Sequence, residues 1–177
     1  IQGRCMAIDM NPTNVGWCVL DKTDDGSTRV IACGDYNLSR LCVKSGKNSS
    51  SAESKYLVNK RRYELSIIVK HLFATCMYYK CSMFVIEDLN LKTSGFPNMA
   101  REGNRLTRNV WNRNLFVEMV QRRCNEKGVE LVRVNPCYSS FIGNIQHPYM
   151  DAANASIEIG RRGLYKYEKG RFYPHIV

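Results

Sequence analysis

The order of apolar and polar positions along this chain predicts most of its elements. Residues Arg4–Met10 form a compact apolar run and read as a buried strand. Asn11, Pro12, Thr13 and Asn14 make a turn cluster, after which Val15–Leu20 reads as a second strand. The polar stretch Asp21–Ser27 predicts a hairpin turn and Thr28–Tyr36 a third strand, so the chain opens as an antiparallel meander. Lys44–Ser54 is polar and low in complexity, and predicts a mobile loop ending in a helix cap. From Tyr56 to Tyr79, apolar residues recur at Leu65, Ile68, Val69, Leu72, Phe73 and Cys76, which is helical spacing. Ser82–Ile86 is a short apolar run ending at Glu87, the pattern of a central strand. Lys92–Arg108 is basic, polar and Gly-containing, and predicts a mobile loop or lid. Helical spacing returns over Asn109–Lys127, Gly128 stops it, and Val129–Val134 predicts another strand before Asn135-Pro136. Asp151 caps a last helix running to about Arg162, with Gly163 at its C′ position. The tail Leu164–Val177 carries four aromatics among basic residues and assigns itself to nothing. The predicted order is βββ-α-β-α-β-α, an α/β chain without internal repeat.

Composition narrows the class. A length of 177 residues predicts one domain, 1–177, with a sizeable core. The 26 Lys and Arg against 16 Asp and Glu leave a net charge of +10, which favours a polyanionic partner such as DNA or RNA. The eight cysteines contain no CxxC, and the nearest pair, Cys76 and Cys81, has only His71 near it, so no zinc is expected. Several sit in apolar runs, and all are expected as reduced thiols in a cytoplasmic protein. No apolar run spans a bilayer, so no membrane partner is expected. The first residue is Ile1 rather than Met, which reads as a cut or processed chain.

Three acids then stand out. Asp9 ends the first apolar run, Glu87 ends the fourth strand, and Asp151 opens the last helix, each in a different third of the sequence. Carboxylate oxygens are hard ligands suited to Mg²⁺ or Mn²⁺ held against phosphate. The expectation is a site binding two such ions about 4 Å apart, which activates a water and stabilises a leaving oxygen. Each acid also has a plainer reading: a turn contact to Thr13 or Asn14 for Asp9, an ordinary helix N-cap for Asp151. Of the neighbours Glu87 and Asp88, only one can face such a site, since successive strand residues point to opposite faces.

Four segments, AIDMNPTNVGWCVLD, FVIEDLNLK, ELVRVNPCYSSFIG and HPYMDAANASIEIGRRG, resemble the motifs of RuvC-like nuclease domains, especially the catalytic domain of transposon TnpB proteins and type V CRISPR effectors. The resemblance spans residues 4 to 163. It implies a ribonuclease-H-like fold, a mixed five-stranded sheet with helices on both faces, and it selects Glu87 over Asp88. It implies Asp9, Glu87 and Asp151 as catalytic metal ligands. The chain departs from TnpB in having no zinc ribbon before the third motif and no long recognition region. The Asp-Ala-Ala opening at Asp151 resembles true RuvC resolvases instead.

The resulting expectation is a metal-dependent endonuclease acting on branched or single-stranded DNA. The alternatives are a catalytic fragment of an RNA-guided nuclease working on an RNA–DNA hybrid, or a non-catalytic nucleic-acid-binding module. Lys60, Arg61, Lys92, Arg101, Arg105, Arg108 and Arg113 are candidate phosphate contacts, against their plainer role as a solvated face. Phe96, Trp111 and Tyr138 are candidates for stacking on bases. Asn14, His147 and Asn154 are candidates for a supporting shell, each with a structural alternative. A junction resolvase would need two sites related by symmetry, hence a homodimer. A kinase-like or actin-like ATPase is the weaker rival, since such proteins need two such domains and a second Gly-rich phosphate loop, and nucleotide-dependent thermal stabilisation would revive it.

Overall fold

The structure is a computed structural model and describes residues 1–11, 13–38, 51–88 and 100–169. Its elements are β1 (Arg4–Met10), β2 (Asn14–Lys22), β3 (Thr28–Asn37), α1 (Ser51–Tyr78), β4 (Met83–Glu87), α2 (Ala100–Lys127), β5 (Glu130–Val134), α3 (Ser139–Gln146) and α4 (Asp151–Lys169). The five strands form one sheet in the order β3-β2-β1-β4-β5. The expected meander is present: β1 pairs antiparallel with β2, and β2 with β3. β4 then joins parallel to β1, and β5 parallel to β4.

Two cores explain the continuous apolar runs of the central strands. Met6 and Ile8 of β1 and Phe84 and Ile86 of β4 face Leu65, Leu72 and Phe73 of α1 and Phe116 and Val120 of α2. The intervening residues Cys5, Ala7 and Val85 face the other way, against Ile157, Ile159 and Leu164 of α4. A strand covered on both faces has no polar side to alternate with. Phe73 and Phe84 stack with centroids 4.9 Å apart across the first core.

Helix α4 lies unusually close to the sheet because its contact residues are small. A Cβ on Gly160 would sit 2.7 Å from Leu20 Cδ1 and 3.0 Å from Ala7 Cβ. One on Gly163 would sit 2.4 Å from Val85 Cγ2. Gly163 is therefore a packing residue inside the helix, not the stop expected of it, and α4 continues to Lys169. Two further boundaries differ from expectation. α1 starts at Ser51, so 51–54 are its first turn rather than loop, with Glu53 favourably placed at the positive helix end. α2 starts at Ala100, so 100–108 is helix rather than lid. Ala, Arg, Glu and Leu in that segment are good helix formers, and they outweigh the single Gly103. Residues 44–50 and 92–99 of the two expected loops lie outside the described residues. Helix α3 has no counterpart in the expected order. It is entered through Tyr138 in the left-handed region (φ 59°) with no side-chain cap, so the usual sequence signal for a helix start is missing.

The described cysteines are all free thiols. Burial pushes Cys18 up to about 12, making it an inert core residue. Among the described residues, no helix is long and apolar enough to cross a membrane.

Candidate metal and phosphate site

The site forms where the carboxyl ends of β1 and β4 meet the start of α4. Parallel pairing of β1 with β4 runs through Cys5↔Met83, Met6↔Phe84 and Ala7↔Val85. Asp9 and Glu87 each lie two residues beyond that last pair. They therefore share a level and a face, the one that carries α4, on strands about 4.8 Å apart. Both are 5% exposed. The next residue, Asp88, donates its backbone N–H to the Val134 carbonyl at 2.7 Å, which holds the end of β4 extended and leaves Glu87 as the acid on the site face.

Asp151 reaches the same corner by a different route. Asp9 pairs with Gly16 across the β1–β2 ladder. A Cβ on Gly16 would lie 2.0 Å from the carbonyl carbon of Ala152, so the first turn of α4 rests on bare backbone beside Asp9. This glycine is what lets the helix start approach. The positive end of α4 also favours anions at this corner. Asp151 itself is exposed, and its Oδ1 accepts a hydrogen bond from the Asn144 side chain of α3. Among the described residues, no three His, Cys, Asp or Glu side chains already surround a common ion position. Backbone contacts thus put the start of α4 beside the partner strand of Asp9, while the Asp151 side chain is held toward Asn144.

Asn144 was not foreseen from the sequence. Its Oδ1 accepts from Asn154 Nδ2 at 2.9 Å, and that same amide donates to the Tyr149 carbonyl at 2.9 Å. Asn154 Oδ1 accepts from the Tyr149 N–H at 3.1 Å. Asn154 is buried and fully occupied in bracing this segment, so it acts on Asp151 through Asn144 rather than on substrate. Gly143 allows the bracing, since a Cβ there would meet the Asn154 carbonyl oxygen at 2.3 Å.

The remaining candidates separate. Asn14 lies on the Gly16 side of β2, and its Nδ2 donates to Thr13 Oγ1 at 3.4 Å, while its backbone closes the turn onto Asn11. His147 caps α3 and stacks on Tyr149. Burial lowers its pKa, and the acid that opposes this is Glu158, well along α4 from Asp151. Arg113 donates to the Met10 carbonyl at 2.8 Å, next to Asp9, and lines a small pocket with Ile86 and Glu87. Lys60 is exposed and Arg61 half-buried on α1. Arg101, Arg105, Arg108 and Trp111 fall in α2, and Lys92 and Phe96 lie outside the described residues.

A second charged group escaped the sequence reading. Glu158, 1% exposed, accepts from Arg161 at 2.8 and 2.9 Å and from Arg162 at 2.9 Å. Arg162 also donates to the Asn135 carbonyl at 2.6 Å, tying α4 to the end of β5. The Glu-x-x-Arg-Arg spacing, which places both arginines over the acid on a helix, was the available signal.

No protein-family model matches this chain, and no curated protein sequence matches it. Solved structures do. A Thermus thermophilus RuvC in complex with Holliday junction substrate superposes with a TM-score of 0.55 at 11% identity, covering 94% of this chain and 96% of that one. The Fowlpox virus resolvase in complex with Holliday junction DNA gives 0.50 at 10% identity, covering 94% and 99%. These likenesses show the fold: this chain has the ribonuclease-H-like fold, a mixed five-stranded sheet with helices.

Proposed function

We propose that this chain is a divalent-metal-dependent endonuclease that hydrolyses phosphodiester bonds in branched DNA. One observation carries the reading. Two buried carboxylates, Asp9 and Glu87, end adjacent parallel strands on one face, under a helix start that opens with Asp151. The donor set fits Mg²⁺ or Mn²⁺: carboxylate oxygens only, on rigid elements, with one member exposed toward solvent and substrate. Asp9 and Glu87 would hold one side of a two-ion site and Asp151 the other. Bound ions supply an activated water and charge neutralisation at the phosphate.

The chain's own residues do the rest. The helix start of α4 directs backbone N–H groups toward an incoming phosphate. Arg113, fixed on Met10, places a guanidinium at the carboxyl end of β1. The likeness in fold to two resolvases solved on junction DNA supports branched DNA as the substrate. Paired, symmetric cuts need two such sites, so the reading includes a homodimer.

Labelled four-way junction, single-stranded and duplex DNA, incubated with Mg²⁺ or Mn²⁺, tests this. Symmetric nicks in the junction are expected. Asp9→Ala and Glu87→Ala should each lower the rate by on the order of a thousandfold or more while binding persists. Metal-dependent cleavage that survives both substitutions, or no cleavage of any substrate, sinks the proposal.

A further inference from the structure

Five large apolar side chains stand exposed in the segment that leads from β5 through α3 into Asp151. Tyr138 is 75% exposed, Phe141 62%, Ile145 69%, Tyr149 48% and Met150 64%. Tyr138, Phe141 and Ile145 recur at spacings of three and four, so they share one stripe at and along α3. Phe141 is a helical neighbour (i, i+3) of Asn144, whose side chain holds Asp151. The patch is therefore continuous with the proposed site. Tyr138 also sits in a backbone conformation that non-glycine residues rarely adopt, which marks it for a functional explanation.

Charge and position limit what can occupy this surface. From Asn135 to Met150 there is no Lys, Arg, Asp or Glu, in a protein of net charge +10. The stretch offers phosphate no charged side chain, so it is not a backbone-binding strip. A second copy of the chain seated here would rest on Phe141, one helical turn from the Asn144 that holds Asp151, and so would compete with substrate for that place. The occupant has to be present together with a phosphate at the acids, and the bases attached to that phosphate meet the condition. Their faces are flat and apolar, as are the rings of Tyr138, Phe141 and Tyr149.

We propose that the Tyr138–Phe141–Tyr149 patch is a stacking platform for unpaired nucleobases flanking the phosphate held at Asp9, Glu87 and Asp151. This rests on the nuclease reading, and it makes the substrate a junction whose bases open at the branch point. Bases stacked on the platform fix which phosphate falls over the acids.

The test uses the full chain, Ca²⁺ to prevent cutting, and a four-way junction carrying 2-aminopurine at the branch. Wild-type binding should quench the fluorophore. Tyr138→Ala and Phe141→Ala should each weaken binding roughly tenfold to a hundredfold and relieve the quench. The slope of affinity against salt should stay unchanged, since no phosphate contact is lost, and Phe141→Trp should restore both signals. Thermal melts control for folding. Unchanged affinity and quench in both variants would overturn the platform. So would a shift from dimer to monomer in sedimentation that accounts for the binding loss, which would make the patch a self-interface. Cleavage without a Phe141-dependent quench would remove this inference alone. A Phe141-dependent quench in a protein that cuts nothing would remove the nuclease reading and leave the platform standing.

Discussion

Asn144 joins two helices through one side chain, donating to Asp151 and accepting from Asn154. Its place in the chain gives no hint of this, because an asparagine in a short helix reads as surface. Outer partners that aim a ligand commonly change metal affinity by about 10- to 100-fold. Asn144→Ala should therefore raise the Mn²⁺ concentration needed for half-maximal cleavage by about tenfold, with junction binding unchanged and full activity recovered at high metal. A metal titration of the variant beside the wild type checks it. Far from this corner, Arg4 grips Asp21 through two hydrogen bonds at 2.6 and 2.9 Å and reaches the Tyr79 carbonyl. The Arg4 hydrogen bonds hold the Asp21 pKa below its ordinary 3.8. A depressed carboxyl contributes stability above its unfolded value and loses it as pH falls through the folded one. Asp21→Asn should thus cost about 1–2 kcal/mol at neutral pH. That difference should shrink as pH falls below 3.8 and through the folded value, as denaturant melts at several pH values would show.

The element that decides the site is α4, and its seam of small residues carries the argument. Gly16→Ala would drive a Cβ to 2.0 Å from the backbone of Ala152, where no flexible side chain can give way. The substitution should destabilise the fold by about 1–3 kcal/mol and lift the helix start, lowering cleavage even in the folded fraction. Thermal melts paired with activity per folded molecule separate the two effects. The sequence made the five strands and the bodies of α1 and α2 legible, because both cores print clear periods on them. It also put Asp9 and Glu87 at strand ends, where they lie, though periodicity left Asp9 a turn alternative and only the resemblance chose Glu87 over Asp88. Gly163 misled because a glycine after an apolar stretch reads alike whether it ends a helix or touches Val85. α3 was missed because Tyr138 enters it without a cap, and the Glu158–Arg161–Arg162 cluster because its burial depends on where α4 lands.

At the scale of the molecule, α1 and α2 both run past the carboxyl ends of β1 and β4. Arg113 touches Met10, yet α2 begins thirteen residues earlier at Ala100, about 20 Å of helix beyond the sheet. α1 likewise has its first core residue at Leu65, fourteen residues after Ser51. Lys60, Arg61 and Arg62 lie on the projecting part of α1, and Arg101, Arg105 and Arg108 in that of α2. With a net charge of +10, this arrangement predicts junction binding that falls steeply with salt. Lys60→Ala with Arg61→Ala should reduce the slope of log affinity against log salt by about 2, in titrations between low and physiological ionic strength. The same layout sets a sequence in time. Glu87 is followed by the whole of α2, β5 and α3 before Asp151 appears, and Asp151 reaches the corner only when α4 settles on Gly16. A chain leaving the ribosome can pair β1 with β4 and still lack its third acid. On this reading, such a nascent nuclease is harmless to the nucleic acid around it until its last described helix closes.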